Sequence, residues 1–114
     1  MNEAGARAED LAAAHLQSAG LRIVARNWRC RQGEIDIIAR EGAALVFVEV
    51  RLRRGAGYGG AGESIGAAKR ARLIAAARSY LAGRRERDCR FDVLLFDALD
   101  LERIEWVRNA FGEA

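Results

Sequence analysis

The sequence contains no proline, and its 114 residues show no internal repeat or low-complexity segment. Nothing in it therefore marks a linker between domains. Since natural domains cluster at roughly 100–150 residues, we expect residues 1–114 to form a single domain. The hydrophobic fraction of 51% is sufficient for an ordinary core.

Cysteines and long apolar runs are also scarce. Cys30 and Cys89 are the only cysteines, and their separation fits neither a zinc site nor a disulfide framework, so we expect reduced thiols. No apolar stretch approaches the roughly 18 residues of a membrane span. Glu3, Glu9 and Asp10 lie where a signal peptide would have an apolar run. We therefore expect a cytoplasmic protein without a membrane partner.

Positive charge is uneven along the chain and is almost entirely arginine, since Lys69 is the only lysine. Between Arg22 and Arg90 sixteen basic and seven acidic residues give a local net charge of +9, whereas the segment from Phe91 onward has a net charge of −4. An arginine-rich middle suits a phosphate-bearing partner, because guanidinium groups bind phosphate oxygens in a bidentate way. The alternative is a solvated surface whose arginine content reflects codon bias.

The spacing of apolar residues predicts two helices and five strands in the order α-β-β-β-α-β-β. The helices are expected over residues 4–19 and 64–82, and the strands over 21–27, 34–40, 44–51, 91–96 and 103–107. Near-continuous apolarity in the second and third strands indicates cover on both faces of the sheet. The predicted fold class is therefore α/β, with a mixed central sheet flanked by helices.

The turn between the second and third strands fixes how they pair. The Gly-Ala dipeptide at positions 42–43 suits a two-residue type II′ turn, because glycine favours the first central position. Counting back from this turn, Asp36 faces Glu49 and Glu34 faces Arg51, with Cβ atoms about 4.5–5.5 Å apart. A slip of one residue would put the two acids on opposite faces of the sheet.

Two carboxylates that face each other in an apolar hairpin repel, and this repulsion destabilises the sheet. A divalent cation between them would remove the repulsion, and Mg²⁺ commonly binds one or two carboxylates together with water and substrate phosphate. The sequence therefore predicts a site for Mg²⁺ or Mn²⁺ at Asp36 and Glu49. The alternative is a wet sheet edge at which the acids pair with arginines, as Glu34 is expected to pair with Arg51.

A set of motifs extends over nearly the whole chain, from Gly5 to about Phe111. It comprises Gly5, Glu9, Ala12 and Leu16 in the first helix, Arg26-Asn27, Gly33 to Ala39, Leu45 to Arg51, Lys69, Tyr80-Leu81 and Arg90 to Val93. Together these motifs resemble the YraN family of predicted bacterial endonucleases, which look like Holliday-junction resolvases within the PD-(D/E)xK nuclease superfamily.

The resemblance implies a restriction-endonuclease-like core and a metal-dependent endonuclease that hydrolyses DNA phosphodiesters, with branched DNA as one substrate. It implies that Asp36 and Glu49 bind the metal and that Glu9 joins them as an auxiliary acid. Helical spacing from Ala12 and Leu16 also favours an inward-facing Glu9; the alternative is a solvated acid favoured by the helix dipole. A resolvase-like enzyme is expected to form a homodimer that cuts paired strands.

Position 51 departs from the family pattern, because Arg51 replaces the lysine expected two residues after the second acid. Arginine cannot be deprotonated in a protein and so cannot act as a base, but it can neutralise developing charge on a phosphate. Lys69 is the candidate substitute, with an ordinary surface lysine as the alternative. The departure keeps a second hypothesis open, a nucleic-acid-binding module that retains the nuclease fold with little or no catalysis.

A glycine-rich segment over residues 53–62 matches the pattern G-x-G-x-x-G between Gly57 and Gly62. A nucleotide-binding domain is the third hypothesis, but five residues separate the strand from the first glycine, where a dinucleotide site needs an immediate turn. We interpret the segment as a loop that contacts DNA. The residues assigned to nucleic-acid binding are Arg26, Arg29, Arg31, Arg53, Arg54 and Tyr58.

Trp28 and His15 can each be explained by a structural role instead of a functional one. Trp28, with Arg26, Arg29 and Arg31, could belong to the same surface, although cation–π contacts would be a purely structural explanation. His15 is the only histidine and lies on the apolar stripe of the first helix. We interpret His15 as a partly buried packing residue.

Overall fold

The computed structural model describes residues 3–53, 65–85, 88–98 and 100–112. These form two helices and five strands in the predicted order. The elements are α1 (Glu3–Ser18), β1 (Arg22–Cys30), β2 (Gly33–Glu41), β3 (Ala44–Arg53), α2 (Ala67–Leu81), β4 (Cys89–Asp97) and β5 (Asp100–Phe111). The predicted α/β class and restriction-endonuclease-like arrangement are confirmed.

The five strands form one mixed sheet in the order β1-β2-β3-β4-β5. The β1–β2, β2–β3 and β4–β5 pairs are antiparallel, whereas β3 and β4 are parallel. Parallel neighbours need a crossover connection, and α2 lies in the segment between them. The strand that carries Glu49 therefore lies at the centre of the sheet.

A helix covers each face of the sheet, as the apolar strands predict. On one face, Ala8, Ala12 and Leu16 of α1 pack against a cluster that includes Ile37 and Val48. On the other, the buried residues of α2 pack against apolar side chains of β2, β3 and β4; they are Leu73, Ala76 and Ala77. Because alternate side chains of a strand point to opposite faces, the sheet residues divide between two cores.

Glycine defines the ends of both helices. After α1, Gly20 has φ 97°, and the amides of Gly20 and Leu21 donate to the carbonyls of Gln17 and Leu16, the hydrogen bonds of a Schellman ending. The predicted start of the second helix was wrong, because the extended Gly66 is the N-cap and Ala67 begins the helix. Ile65 is buried as expected, but in an apolar cluster ahead of the helix.

The outer strands β1 and β5 are longer than predicted. They extend to Cys30 and to Phe111, through arginine- and glutamate-rich segments that lack a continuous apolar pattern. An edge strand is half exposed and is held largely by backbone hydrogen bonds, so its side chains carry a weaker signal.

The register of the central hairpin is the predicted one. Glu41 pairs with Ala44, and the pairs continue to Ile37 with Val48. Gly42 has φ 58°, while Ala43 is not among the residues with positive φ, as a type II′ turn requires. The ladder ends at Ile37 and Val48, and the next residue on each strand is one of the two acids, Asp36 and Glu49. The position of the turn therefore determines that these two acids face each other.

Candidate functional site

Asp36 and Glu49 meet where the backbone ladder of the hairpin stops. The amide of Val50 donates to Asp36 Oδ2 at 2.9 Å, so a carboxylate accepts from β3 just beyond the last backbone pair. The Glu49 side chain is only 4% exposed and forms a hydrogen bond with Asp36. The hairpin thus holds the half-buried carboxyl group of Asp36 against the buried one of Glu49.

The electrostatics of this pair are unfavourable for two negative charges. Burial is the main cause that raises the pKa of Glu49 to about 8, with further contributions from the hydrogen bond to Asp36 and from its charge. Lys69 and Arg51 lower the pKa only in part. At neutral pH this pair favours a bound proton or a cation, and two carboxylates are a ligand set that suits Mg²⁺ or Mn²⁺.

Two cationic side chains approach the same oxygen of Glu49. Lys69 Nζ lies 3.4 Å from Glu49 Oε2, and Arg51 Nη1 lies 3.7 Å from it. Lys69 comes from the first turn of α2, and Arg51 follows two residues after Glu49 on β3. The tertiary structure therefore brings a lysine to the acid by a different route from the family's strand position.

Glu9 reaches this region from α1. Its side chain is buried, so the inward-facing interpretation is confirmed and the solvated alternative was wrong. Burial raises the pKa of Glu9, and the charge of Asp36 raises it further. Glu9 and Asp36 both line an open cavity of about 170 Å³, together with Gly5, Ala8, Val50 and Leu52. The three predicted acids thus belong to one end of the sheet.

The acids do not form a complete metal site by themselves. Within the ranges that the structure describes, no three aspartate, glutamate, histidine or cysteine side chains are grouped closely enough to hold an ion. A magnesium ion accepts one or two carboxylates and completes its shell with water and phosphate. The arrangement therefore fits a two-carboxylate site at Asp36 and Glu49, and direct ligation by Glu9 stays a prediction.

Asn27 contacts this group of acids, although sequence reasoning gave it no role. When its amide is oriented to donate, Asn27 Nδ2 lies 2.8 Å from Glu9 Oε1 and 3.0 Å from Glu34 Oε1. Glu34 also pairs with Arg29 Nε at 3.3 Å, across β1 and β2. The signals in the sequence were its place in the Arg26-Asn27 motif and an asparagine, a poor strand former, at the end of a predicted strand.

Several arginines assigned to nucleic-acid binding have acidic partners. Arg26 pairs with Asp10 at 2.8 Å and Arg53 with Glu105 at 3.2 Å, in addition to the pair of Arg29 with Glu34. Arg31 is exposed on the turn between β1 and β2. Arg54 and Tyr58 lie outside the described residues. Any DNA contact by the three paired arginines must share their charge with a neighbouring acid.

The aromatic and imidazole side chains in question pack within the protein. Trp28 lies edge-on to Tyr80 with ring centroids 5.3 Å apart, and His15 lies edge-on to Trp106 at 5.7 Å. The interpretation of His15 as a packing residue is therefore confirmed. Within the described residues, Cys30 and Cys89 are not part of a disulfide.

A larger cavity, of about 310 Å³, lies elsewhere on the α2 face. It is lined by Cys89 and Phe91, near the end of the sheet where β3 and β4 begin and Leu45 pairs with Cys89. The lining is mostly apolar and includes no carboxylate. Size alone therefore does not select the functional site, whereas the grouping of acids at the other end does.

No helix in the described ranges is both long enough and apolar enough to cross a membrane.

Comparison with known proteins gives matches over most of the chain. The model of the uncharacterised protein family UPF0102 matches residues 8–96, a range that includes the acids, Asn27 and Lys69. A UPF0102 protein of Dechloromonas aromatica is 54% identical over 108 residues, which are 95% of this chain and 88% of the relative. A UPF0102 protein of Methylobacillus flagellatus is 48% identical, with 98% and 99% of the two chains covered. One of Nitrosomonas europaea is 51% identical, with 96% and 94% covered.

Proposed function

The chain belongs to the uncharacterised protein family UPF0102, the YraN family that its motifs resemble, and we propose that it is a metal-dependent endonuclease acting on DNA. The observation that carries this proposal is the contact of the half-buried Asp36 with the buried Glu49, with Lys69 and Arg51 beside Glu49. A like-charged buried pair inside a cleft is a common feature of active sites. The resemblance to nucleases supports the same chemistry.

The donor set fits a divalent cation, which Asp36 and Glu49 would hold. When bound, a Mg²⁺ or Mn²⁺ ion supplies Lewis-acid activation of a phosphate and of water. The two carboxylates then remain ionised, because a cation offsets the repulsion that otherwise favours the proton. Glu9, on the wall of the same cavity as Asp36, adds negative charge to the site and attracts the cation.

The two cationic side chains at Glu49 have different capacities. Both can offset negative charge on a phosphodiester, which is chiefly electrostatic work. Only Lys69 can also give up a proton, since the arginine guanidinium stays charged. We assign Lys69 the role that the nuclease family gives to the strand lysine, and Arg51 a purely electrostatic role. The local net charge of +9 between Arg22 and Arg90 favours association with the DNA backbone.

A second candidate is a DNA-binding module with little catalysis. Arg51 favours it, because an arginine stands at the position of the family's lysine. Preference for branched DNA, a homodimer and a cytoplasmic location complete the proposal, each as a prediction of the resemblance or of the composition.

The decisive experiment is a cleavage assay with the full chain on a four-way junction and on linear DNA, with Mg²⁺ or Mn²⁺ added to chelator-treated protein. Asp36→Asn and Glu49→Gln keep the size of each side chain and remove its charge, so we expect each to lower the cleavage rate by at least about 10³-fold. Glu102→Gln, on an exposed part of β5, is the matched control and should cleave like the wild type.

The outcomes separate the two candidates. Cleavage that persists in Asp36→Asn and Glu49→Gln at the wild-type rate overturns the proposed site. Wild-type protein that binds the junction at low salt but cuts neither substrate with either metal supports the binding module instead. Absence of DNA binding at low salt overturns both.

A further inference from the structure

Asn27 has a backbone conformation that a strand residue rarely adopts. Its φ is 52°, yet it lies inside β1 between the pairs Arg26 with Ile37 and Trp28 with Ile35. This register places Asn27 opposite Asp36. The left-handed region is strained for an ordinary L-residue, and asparagine tolerates it better than most. Backbone strain of this kind persists where the surroundings enforce it and is concentrated at functional sites.

The side chain of Asn27 joins three elements. Its amide nitrogen donates to Glu9 on α1 and to Glu34 on β2, at 2.8 and 3.0 Å. Both contacts use the same nitrogen, so the two amide hydrogens are directed to two different carboxylates. Arg29 pairs with the other oxygen of Glu34, Oε2, and thereby fixes the far end of this arrangement.

A neutral donor has a particular advantage at this position. Glu9 is buried close to Asp36, which has the same charge, so its carboxylate is costly to keep in place without a partner. An arginine or lysine would stabilise it by neutralising its charge, and would then compete with a metal cation. An amide stabilises the anion by hydrogen bonding and leaves the negative charge of the site intact.

From this geometry we infer that Asn27 is a positioning residue that holds the Glu9 carboxyl group on the cavity shared with Asp36. The inference rests on the proposed function, since it assigns Asn27 to the outer shell of the cation that Asp36 and Glu49 would bind. Outer-shell partners of metal ligands commonly affect metal affinity by 10–100-fold when removed. The alternative role is a purely structural tie between α1 and the sheet.

The test is a calorimetric titration of the metal-free protein with Mn²⁺, in the absence of DNA. Asn27→Gly removes the amide and keeps a residue that adopts φ 52° without strain. Asn109→Gly is the matched control, because Asn109 also has φ 52° and lies on β5, where its backbone amide, which glycine retains, donates to Asp92. We expect Asn27→Gly to raise the Kd for Mn²⁺ by about 10–100-fold, and Asn109→Gly to leave it within about twofold of the wild type.

A double-mutant cycle with Glu9→Gln separates positioning from a structural tie. If Asn27 acts through Glu9, then Asn27→Gly raises the Kd by less than about twofold in the Glu9→Gln background. If instead the double variant has a Kd raised by the product of the two single effects, the positioning role is overturned. So does an Asn27→Gly protein that binds Mn²⁺ like the wild type and has a lower melting temperature, which is the result for a structural tie.

A further control distinguishes this failure from failure of the proposed function. Wild-type protein that binds no Mn²⁺, or an Asp36→Ala protein that binds it as the wild type does, overturns the metal site and the Asn27 inference together. Binding that is lost in Asp36→Ala and unchanged in Asn27→Gly leaves the metal site standing and overturns only the role of Asn27.

Discussion

Asp92 on β4 and Glu49 on β3 are both buried acids on neighbouring parallel strands, but their surroundings are opposite. Asp92 is fully buried and accepts hydrogen bonds from Arg90, from the indole nitrogen of Trp106 and from the backbone amide of Asn109. Glu49 instead meets a second carboxylate, Asp36. A buried charge that is surrounded by donors stabilises the fold, whereas one that faces a like charge lowers stability and indicates a ligand.

The donors of Asp92 belong to a wider network. Arg90 also pairs with Glu41 at 2.9 Å, and Arg108 pairs with the same glutamate at 2.9 Å. Hydrogen bonding to these two arginines, Arg108 first, lowers the pKa of Glu41. Acids and bases are balanced here, so this end of the sheet needs no added ion. At the other end, Glu49 also has two cationic neighbours, Lys69 and Arg51, but it faces the second carboxylate, Asp36.

Removal of Asp92 should give the largest effect on stability. Asp92→Ala leaves the largely buried Arg90 without this carboxylate and an indole nitrogen without its acceptor, so we expect unfolding to become easier by about 3–5 kcal/mol. Asp36→Ala removes the acceptor of the Val50 amide but also a like charge beside Glu49, so we expect a smaller loss of about 1 kcal/mol in metal-free buffer. Urea denaturation of the two variants measures the difference, and similar losses would remove the distinction between the two acids.

Titration of Glu49 should make the stability of the wild type depend on pH in a way that Glu49→Gln does not. The pKa of Glu49 is about 8 in the folded protein, compared with the ordinary glutamate value of 4.5. The folded state therefore binds a proton more tightly, and the stability that this proton contributes is lost as pH rises from about 4.5 to about 8. In a chelating buffer the melting temperature of the wild type should fall by at least about 5 °C across this window relative to Glu49→Gln. If the melting temperatures of the two proteins change with pH in the same way, the raised pKa of Glu49 is contradicted.

The two cations beside Glu49 should differ in their effect on cleavage. Lys69→Ala removes the only one of the two cations that can give up a proton, so we expect the cleavage rate to fall by about 10–100-fold. Arg51→Lys keeps the charge and restores the family's residue, and it should cleave at least as fast as the wild type. If Arg51→Lys lowers the cleavage rate on the same junction more than Lys69→Ala does, Arg51 and not Lys69 has the main role.

Substitution of an exposed acid should have the smallest effect on stability and gives the reference for the buried acids. Asp10 pairs with Arg26 at the surface, where the side chains are 71% and 37% exposed. Exposed ion pairs contribute at most about 1 kcal/mol, because water and salt screen them. Asp10→Asn should therefore change the free energy of unfolding by less than this amount in urea denaturation. A loss comparable to that of Asp92→Ala would show that exposure does not explain the ranking.

The elements predicted from the sequence were those with strong local signals. The alanine-rich helix and its stop at Gly20 follow from residue propensities and from one positive-φ glycine. The hairpin register follows from a two-residue turn, which leaves the strands no other alignment without a slip. The helix start at Ala67 was missed because the apolar Ile65 continues the helical spacing although its backbone is not helical.

By itself, then, the sequence determined the order of elements and the facing of Asp36 and Glu49, because turn geometry and side-chain alternation act over a few residues. The tertiary structure decided which distant groups surround that pair. Glu9 reaches it from α1, Lys69 from α2 and Asn27 through a left-handed backbone that no strand pattern encodes. These contacts depend on how the helices pack on the sheet, and packing is set by the two cores as a whole rather than by any local segment.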